Sequence, residues 1–301
     1  MAVQGRVEPP AGALGRVRVI LEMIKFEHTV FALPFALIST VLAARTLPGG
    51  IPSARTIFWI LAAMVGARSA AMAFNRIVDA RYDAQNPRTA SRAIPAGLLT
   101  FAQVWVFTVA SMVLFVYAAY QLNRLCLMLS PAALLSVLGY SFTKRFTSLS
   151  HLALGFGIGI APIGAWIAVT GALHLVPVLL GAVVMLWIGG FDIIYALQDV
   201  DFDRQTGLHS LPKAIGKSAA LLVSRLFHVL MLGLLVAIGV LAGLHAVYFV
   251  GVAIVACLIA YEHSIVSPDD LSRVNLAFFT MNGWVGIILF AFVLLDRILL
   301  A

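Results

Sequence analysis

Charge is scarce in this 301-residue sequence: Asp, Glu, Lys and Arg make up 11% of it, against 62% hydrophobic residues. Ordinary soluble domains carry about 25% charged residues, so the balance excludes a soluble enzyme. Cysteine is nearly absent. Cys126 and Cys257 both fall inside apolar segments far apart in sequence, which excludes a disulfide framework and a thiolate metal site. His28, His151, His209 and His263 lack metal-ligand spacing, which argues against zinc; only His209, beside an acidic run, stands out. The net charge of +7 is not gathered into a basic domain with interleaved aromatics, so nucleic acid is not an expected partner. The opening segment, Met1 to Gly15, lacks the apolar run and cleavage site of a signal peptide and reads as a short disordered tail.

What the chain does have is apolar runs long enough to cross a hydrocarbon core about 30 Å thick, which takes roughly 20 residues of helix. The runs predict an all-α membrane bundle of nine helices: Glu27–Ala44, Thr56–Val78, Phe101–Tyr120, Leu122–Tyr140, His151–Thr170, Leu175–Leu197, Ala219–Ala242, His245–Glu262 and Phe278–Leu299. Residues 1–26 form an N-terminal segment and residues 27–301 a single transmembrane domain. The connections Asp79–Thr100 and Asp199–Ser218 are long and charged and fall on one side. Lys and Arg concentrate there, leaving Arg45, Arg55, Arg124 and Arg297 on the other side and Arg68 within a helix. The positive-inside rule puts the long loops and the N-terminal segment in the cytoplasm, as for a multi-pass inner-membrane protein. Anionic lipid headgroups and a phosphate-bearing substrate are the partners such charge suits.

Acidic residues number only thirteen, and two groups of them are spaced to share a helix face. Asn75, Asp79 and Asp83 recur at four-residue intervals. Asp192, Tyr195, Asp199 and Asp203 are set at intervals of three, four and four, while Asp201 points elsewhere. Oxygen ligands in a row suit a hard cation such as Mg²⁺, which keeps one or two protein carboxylates and takes its other ligands from phosphate and water. Arg88 and Arg92, just downstream of the first group, add cations for phosphate oxygens. A carboxylate as deep as Asp192 is expensive in a membrane helix and marks an internal cavity. The implied ligand has an anionic head and a lipid tail.

Plainer readings stand beside these. Capping explains Asp201, but not two acidic faces converging on one side. Gly155, Gly157 and Gly159 lie in an apolar span without a preceding strand, so they read as close helix packing and not as a nucleotide loop. A secondary transporter predicts discontinuous helices near mid-membrane, and Pro34 and Pro162 interrupt candidate helices. A phosphotransferase acting on nucleotide-activated alcohols needs Gly and Arg within its acidic motif, which neither group has.

With these motifs in view, the sequence resembles the UbiA family of membrane aromatic prenyltransferases over nearly its whole length. Asn75-x3-Asp79-x3-Asp83 is similar to the family's first motif, and Tyr195 through Asp199 to Asp203 to its second. The Ser141–Thr147 loop and the Arg88-Thr89, Arg92 and Pro95-Ala96-Gly97 run also resemble family segments. The resemblance implies transfer of a polyprenyl chain from its diphosphate to an aromatic acid in ubiquinone or menaquinone biosynthesis. It assigns Mg²⁺ to Asn75, Asp79, Asp83, Asp199 and Asp203, and diphosphate charge to Arg68, Arg88, Arg92, Lys144 and Arg145. Arg68 lies seven residues before Asn75, on the same face. Asp192 is the candidate for orienting the acceptor or taking its proton. Tyr195, Phe142 and Phe191 are candidates for facing a developing carbocation, with plain packing an equal reading for the two phenylalanines. Where relatives specific for 4-hydroxybenzoate carry Lys in a Gly-Ile-Lys-Ser run, this chain has Gly207-Leu208-His209-Ser210. With Phe26–Ala32, that departure resembles a sub-branch whose acceptor is either 4-hydroxybenzoate or 1,4-dihydroxy-6-naphthoate.

Overall fold

A computed structural model describes residues 12–24 and 32–300 and contains no strand among them. The helices are α1 (Gly12–Met23), α2 (Leu33–Ala44), α3 (Ala54–Asp83), α4 (Phe101–Leu122), α5 (Arg124–Thr143), α6 (Ser150–Thr170), α7 (Leu175–Ala196), α8 (Val200–Thr206), α9 (Leu211–Ile215), α10 (Lys217–Leu241), α11 (Ala246–Ser264) and α12 (Asn282–Leu300). Eight of these segments, counting α7 and α8 as one, are long and apolar enough to cross a membrane. The expected first span is described only as α2, 12 residues long; residues 27–31 of it, and most of the Phe26–Ala32 run, lie outside the described residues. The expected disordered tail requires correction at its end. Residues 1–11 lie outside the description, but Gly12 to Gly15 open α1, whose Val19, Ile20 and Met23 pack on Ala73, Leu99 and Val104.

Helix lengths place the acidic groups. At 1.5 Å per residue, the 30 residues of α3 reach about 45 Å, well beyond a hydrocarbon core of about 30 Å. The 32-residue run from Leu175 to Thr206 does the same. α3 therefore does not stop at Val78, as the apolar run alone suggests, but carries Asp79 and Asp83 on its own last turns. Local chemistry supports the helix ends: Ser53 Oγ accepts from the Thr56 N–H to start α3, and Thr100 and Gln103 form a reciprocal capping box on α4. Asn123 ends α4 and starts α5, its Oδ1 accepting from the Cys126 N–H at 2.9 Å.

Packing in lipid cannot draw on a hydrophobic driving force between helices, so close backbone approach and hydrogen bonds matter more. A Cβ on Gly159 would stand 2.5 Å from the Gly181 carbonyl oxygen, and one on Gly155 would strike the Met185 carbonyl. The small-residue reading of these glycines therefore holds, and it fixes α6 against α7. Pro162 lies inside an uninterrupted α6, with its carbonyl accepting from Ser39 Oγ at 2.6 Å, and Pro34 sits in the first turn of α2. Pro162 therefore does not break its helix, contrary to the expectation, while residues 27–31 of the expected first helix, ahead of Pro34, lie outside the described residues. The core joins Phe35, Trp187, Phe191, Met231 and Tyr248. Phe191 is thus a packing residue, set edge-on to Trp187 at 5.3 Å. Asn282, at the start of α12 beyond a π-helical turn at Leu276–Met281, accepts from Trp187 Nε1 at 2.7 Å. The same residue donates to Glu262 at 3.0 Å, tying α7, α11 and α12.

Candidate active site

The last two turns of α3 present the first acidic group as a helix face. Asn75 donates to Asp79 Oδ2 at 2.8 Å, as i, i+4 neighbours do. Asp83 Oδ1 accepts from Arg92 at 2.7 Å, while its Oδ2 is buried without a partner.

The second group is not one continuous helix face. α7 ends at Ala196, a 3₁₀ turn covers Leu197–Asp199, and α8 begins at Val200. The tighter turn, three residues instead of 3.6, rotates α8 relative to α7, so the side chains part company. Asp192 meets His151 on α6 at 2.6 Å. Asp203 Oδ2 accepts from Ser210 Oγ at 2.6 Å. Tyr195 and Asp199 still share a partner: Arg88 forks onto both Asp199 oxygens at 3.1 and 2.5 Å and reaches the Tyr195 hydroxyl at 2.8 Å. This bidentate grip is the strong form of an arginine–carboxylate contact. Burial alone would lower the Arg88 pKa, but the Asp199 carboxylate outweighs it and the net shift is upward. Asp201 is solvated, 3.6 Å from Arg204, in keeping with its separate direction.

The segment after α3 is what brings the two groups together, since its Arg92 meets Asp83 of the first and its Arg88 grips Asp199 of the second. Asn86 Nδ2 also approaches Asp199 at 3.4 Å. Lys144, between α5 and α6, completes the mouth. Burial pulls its pKa down, and Asp192, Asp203, Asp199 and Asp79, in that order, more than reverse this. One ammonium thus feels carboxylates of both groups. Arg145 behaves differently: it donates to the Val78 carbonyl at 2.8 Å and lies over the rings of Phe142 and Tyr82, on the outer side of the cluster. Phe142 itself packs against Phe74.

Beneath the acids, an apolar cavity of about 370 Å³ opens between α3, α4, α5 and α6. That size is within the range of small-molecule sites. Arg68 and Met72 line it one to two turns below Asn75, and Tyr140 lines it beside Ser141, whose hydroxyl is 3.5 Å from Asn75. Arg68 is accordingly a wall residue of the cavity, deeper than the other basic residues.

The donors are all oxygens, which suits a hard cation, and Asp83 keeps an unpartnered buried oxygen. Among the described residues, no three His, Cys, Asp or Glu stand close enough to hold a metal alone. Sharing a cation with substrate phosphates fits that spread. Sequence reasoning missed His151, Ser210 and Asn86, none of which belongs to a spaced motif; His209, singled out instead, is exposed and ties the chain through its N–H to the Lys144 carbonyl at 2.7 Å.

A model of the UbiA prenyltransferase family matches residues 32–285. The chain is 31% identical over 256 residues to a 4-hydroxybenzoate octaprenyltransferase of Tolumonas auensis, covering 85% of this chain and 89% of the relative. It is 34% identical to one of Xanthomonas campestris, with 80% of each covered. The solved apo structure of a UbiA homolog from Aeropyrum pernix superposes with a TM-score of 0.81 at 35% identity, covering 90% of this chain and 98% of that one. A homolog from Archaeoglobus fulgidus, solved with DMAPP and Mg²⁺, has a TM-score of 0.69 at 16% identity, covering 93% and 99%, and shares the fold.

Proposed function

The chain belongs to the UbiA prenyltransferase family, and on that premise we propose that it is a multi-pass membrane polyprenyltransferase that joins a polyprenyl chain to the ring of 4-hydroxybenzoate in quinone biosynthesis. The observation that carries this reading is the segment after α3, whose Arg92 meets Asp83 and whose Arg88 grips Asp199 and Tyr195, gathering both acidic groups above the apolar cavity. A diphosphate head and a polyprenyl tail match the two compartments.

In the reaction, the bond between the allylic carbon and the diphosphate oxygen breaks, and its electron pair leaves with the diphosphate. A ring carbon of the acceptor forms the new C–C bond and then loses its proton. Asn75, Asp79, Asp83, Asp199 and Asp203 would hold Mg²⁺, which when bound neutralises charge on the departing diphosphate. Arg88, Arg92 and Lys144 add fixed positive charge at the same place, strongest where water is excluded. Arg145 and Arg68 flank the head on either side, Arg68 from within the cavity wall. Tyr195, held by Arg88, offers its ring to the cationic carbon. Asp192 orients the acceptor hydroxyl or takes the ring proton.

His209 in place of the lysine of a Gly-Ile-Lys-Ser run favours a second acceptor, 1,4-dihydroxy-6-naphthoate. Purified protein in lipid with Mg²⁺, geranyl diphosphate and either acceptor tests both. A prenylated ring lost on chelation by EDTA supports the class, and the acceptor consumed names the pathway; no product from either acceptor overturns the proposal. The charged loops are placed in the cytoplasm by the positive-inside rule, so a C-terminal tag should be accessible only from outside the inner membrane.

A further inference from the structure

A run of hydrogen bonds crosses the site through His151, Ser210 and Leu211, none of which has a part in the chemistry above. Ser210 Oγ donates to Asp203 Oδ2 at 2.6 Å. The next N–H along, that of Leu211, donates to His151 Nε2 at 3.3 Å. His151 Nδ1 stands 2.6 Å from Asp192 Oδ2. These contacts fix the tautomer: an Nε2 that accepts a backbone N–H carries no proton, so the ring proton is on Nδ1 and is donated to Asp192. His151, Ser210 and Asp203 are each at most 2% exposed, which protects the run from competing water.

We propose that His151 is a positioning residue that fixes the Asp192 carboxylate toward the aromatic acceptor and couples it to the Gly207–Leu211 turn, whose Ser210 holds Asp203 at the diphosphate. The inference rests on the prenyl-transfer reading. A buried histidine usually needs only some partner for each nitrogen. Here the partners are specific: one is the deepest carboxylate of the site, and the other is the backbone of the turn that also holds Asp203. The turn is further pinned by the His209 N–H on the Lys144 carbonyl and by Lys213 Nζ on the Leu208 and Asp203 carbonyls at 2.6 and 3.1 Å. With Oδ2 occupied by His151, Oδ1 is the Asp192 oxygen left for the acceptor. Occupation of the diphosphate side would thereby set the carboxylate that the acceptor meets.

The test compares His151→Ala, His151→Asn and His151→Gln with wild type in lipid, varying 4-hydroxybenzoate and geranyl diphosphate in turn, with thermal melts as a check on folding. An asparagine amide falls near the position of Nδ1, a glutamine amide near that of Nε2. Outer partners that orient a functional group are typically worth about 10- to 100-fold. His151→Ala should lose that much in kcat/KM for the acceptor, with the diphosphate KM within about twofold of wild type. His151→Asn should recover most of the loss and His151→Gln little of it. Equal rescue by both amides, equal effects on both substrates, or full activity in folded His151→Ala would overturn the role. Wild type without prenylated product from any acceptor would overturn the prenyl-transfer reading instead, and the inference with it.

Discussion

At the end of α3 the acidic group is held by its own neighbourhood: Asn75 bonds Asp79 one turn on, and Asp83 is met by Arg92 nine residues later. At the end of α7 the partners come from across the molecule, Asp192 from His151 on α6 and Asp199 from Arg88 beyond α3. Similar side chains at similar spacing are thus built in two ways. The first face is a local device, and one of its buried oxygens is still unpartnered. The second is a junction, where α6, α7, the α8–α9 turn and the segment after α3 meet. Losing a residue from the first should remove chemistry alone; losing one from the second should also release structure.

The largest effects should come from the acids. Asp79→Ala and Asp199→Ala should each lower turnover by more than about 10²-fold, the usual scale for removing a group that stabilises charge in a transition state. The comparison is sharpened by hydrogen exchange. Only Asp199→Ala should raise exchange in residues 86–92, because only that carboxylate anchors Arg88. Equal protection in the two variants would break the distinction between local face and junction.

That distinction also sorts what was legible in the sequence. The face of α3 could be read because a regular helix keeps its own spacing, and the small-residue contacts of Gly155 and Gly159 could be read for the same reason. The face of α7 could be read only as far as Tyr195 and Asp199. Nothing in Leu197, Gln198 and Asp199 announces a 3₁₀ turn, and beyond that turn Asp203 meets Ser210. His151 lies 41 residues from Asp192, and no periodicity connects residues on two helices until α6 is laid on α7. The resemblance assigns Lys144 and Arg145 one role, but it does not carry their directions: neighbouring residues at a helix end point differently, and the Arg145 guanidinium donates to the Val78 carbonyl.

Lys144 should matter next, since it serves both groups at once. Lys144→Met should lower kcat by about 10²-fold at every pH from 6 to 9. Because its pKa is raised above the ordinary 10.5, the charged form and its contribution are fully present below that value and fade only as pH rises through the higher, folded-state one. A wild-type loss of activity below pH 9 that disappears in Lys144→Met would contradict the assignment.

Arg88 and Arg92 offer a paired test of smaller size. Arg88 uses three nitrogens, two on Asp199 and one on Tyr195, whereas Arg92 makes a single contact with Asp83. A lysine ammonium can replace one point contact but not a planar fork. Arg88→Lys should cost about tenfold in kcat/KM for the diphosphate, and Arg92→Lys about threefold or less. Reversal of that order would mean that the phosphate, not the carboxylate bridge, sets the role of each arginine.

The smallest expected effect separates the two regions through their glycines. Gly97 and Gly207 have nearly the same left-handed backbone, φ +73° and +75°, and each faces open space, so an added Cβ would meet nothing within 4 Å. The cost of alanine is therefore the backbone conformation alone, about 1 kcal/mol at either site, read as a similar small drop in melting temperature. Activity should not fall equally. The turn at Gly207 leads directly into Ser210 and Leu211, whose bonds reach Asp203 and His151. The turn at Gly97 closes on the Ile94 carbonyl at 3.0 Å and leads into the capping box of α4, away from the acids. Gly207→Ala should lower kcat by a few-fold and Gly97→Ala hardly at all, at matched loss of stability. If the two variants lose activity in proportion to stability, the turn after α8 is a plain connection, and the junction ends at Asp199.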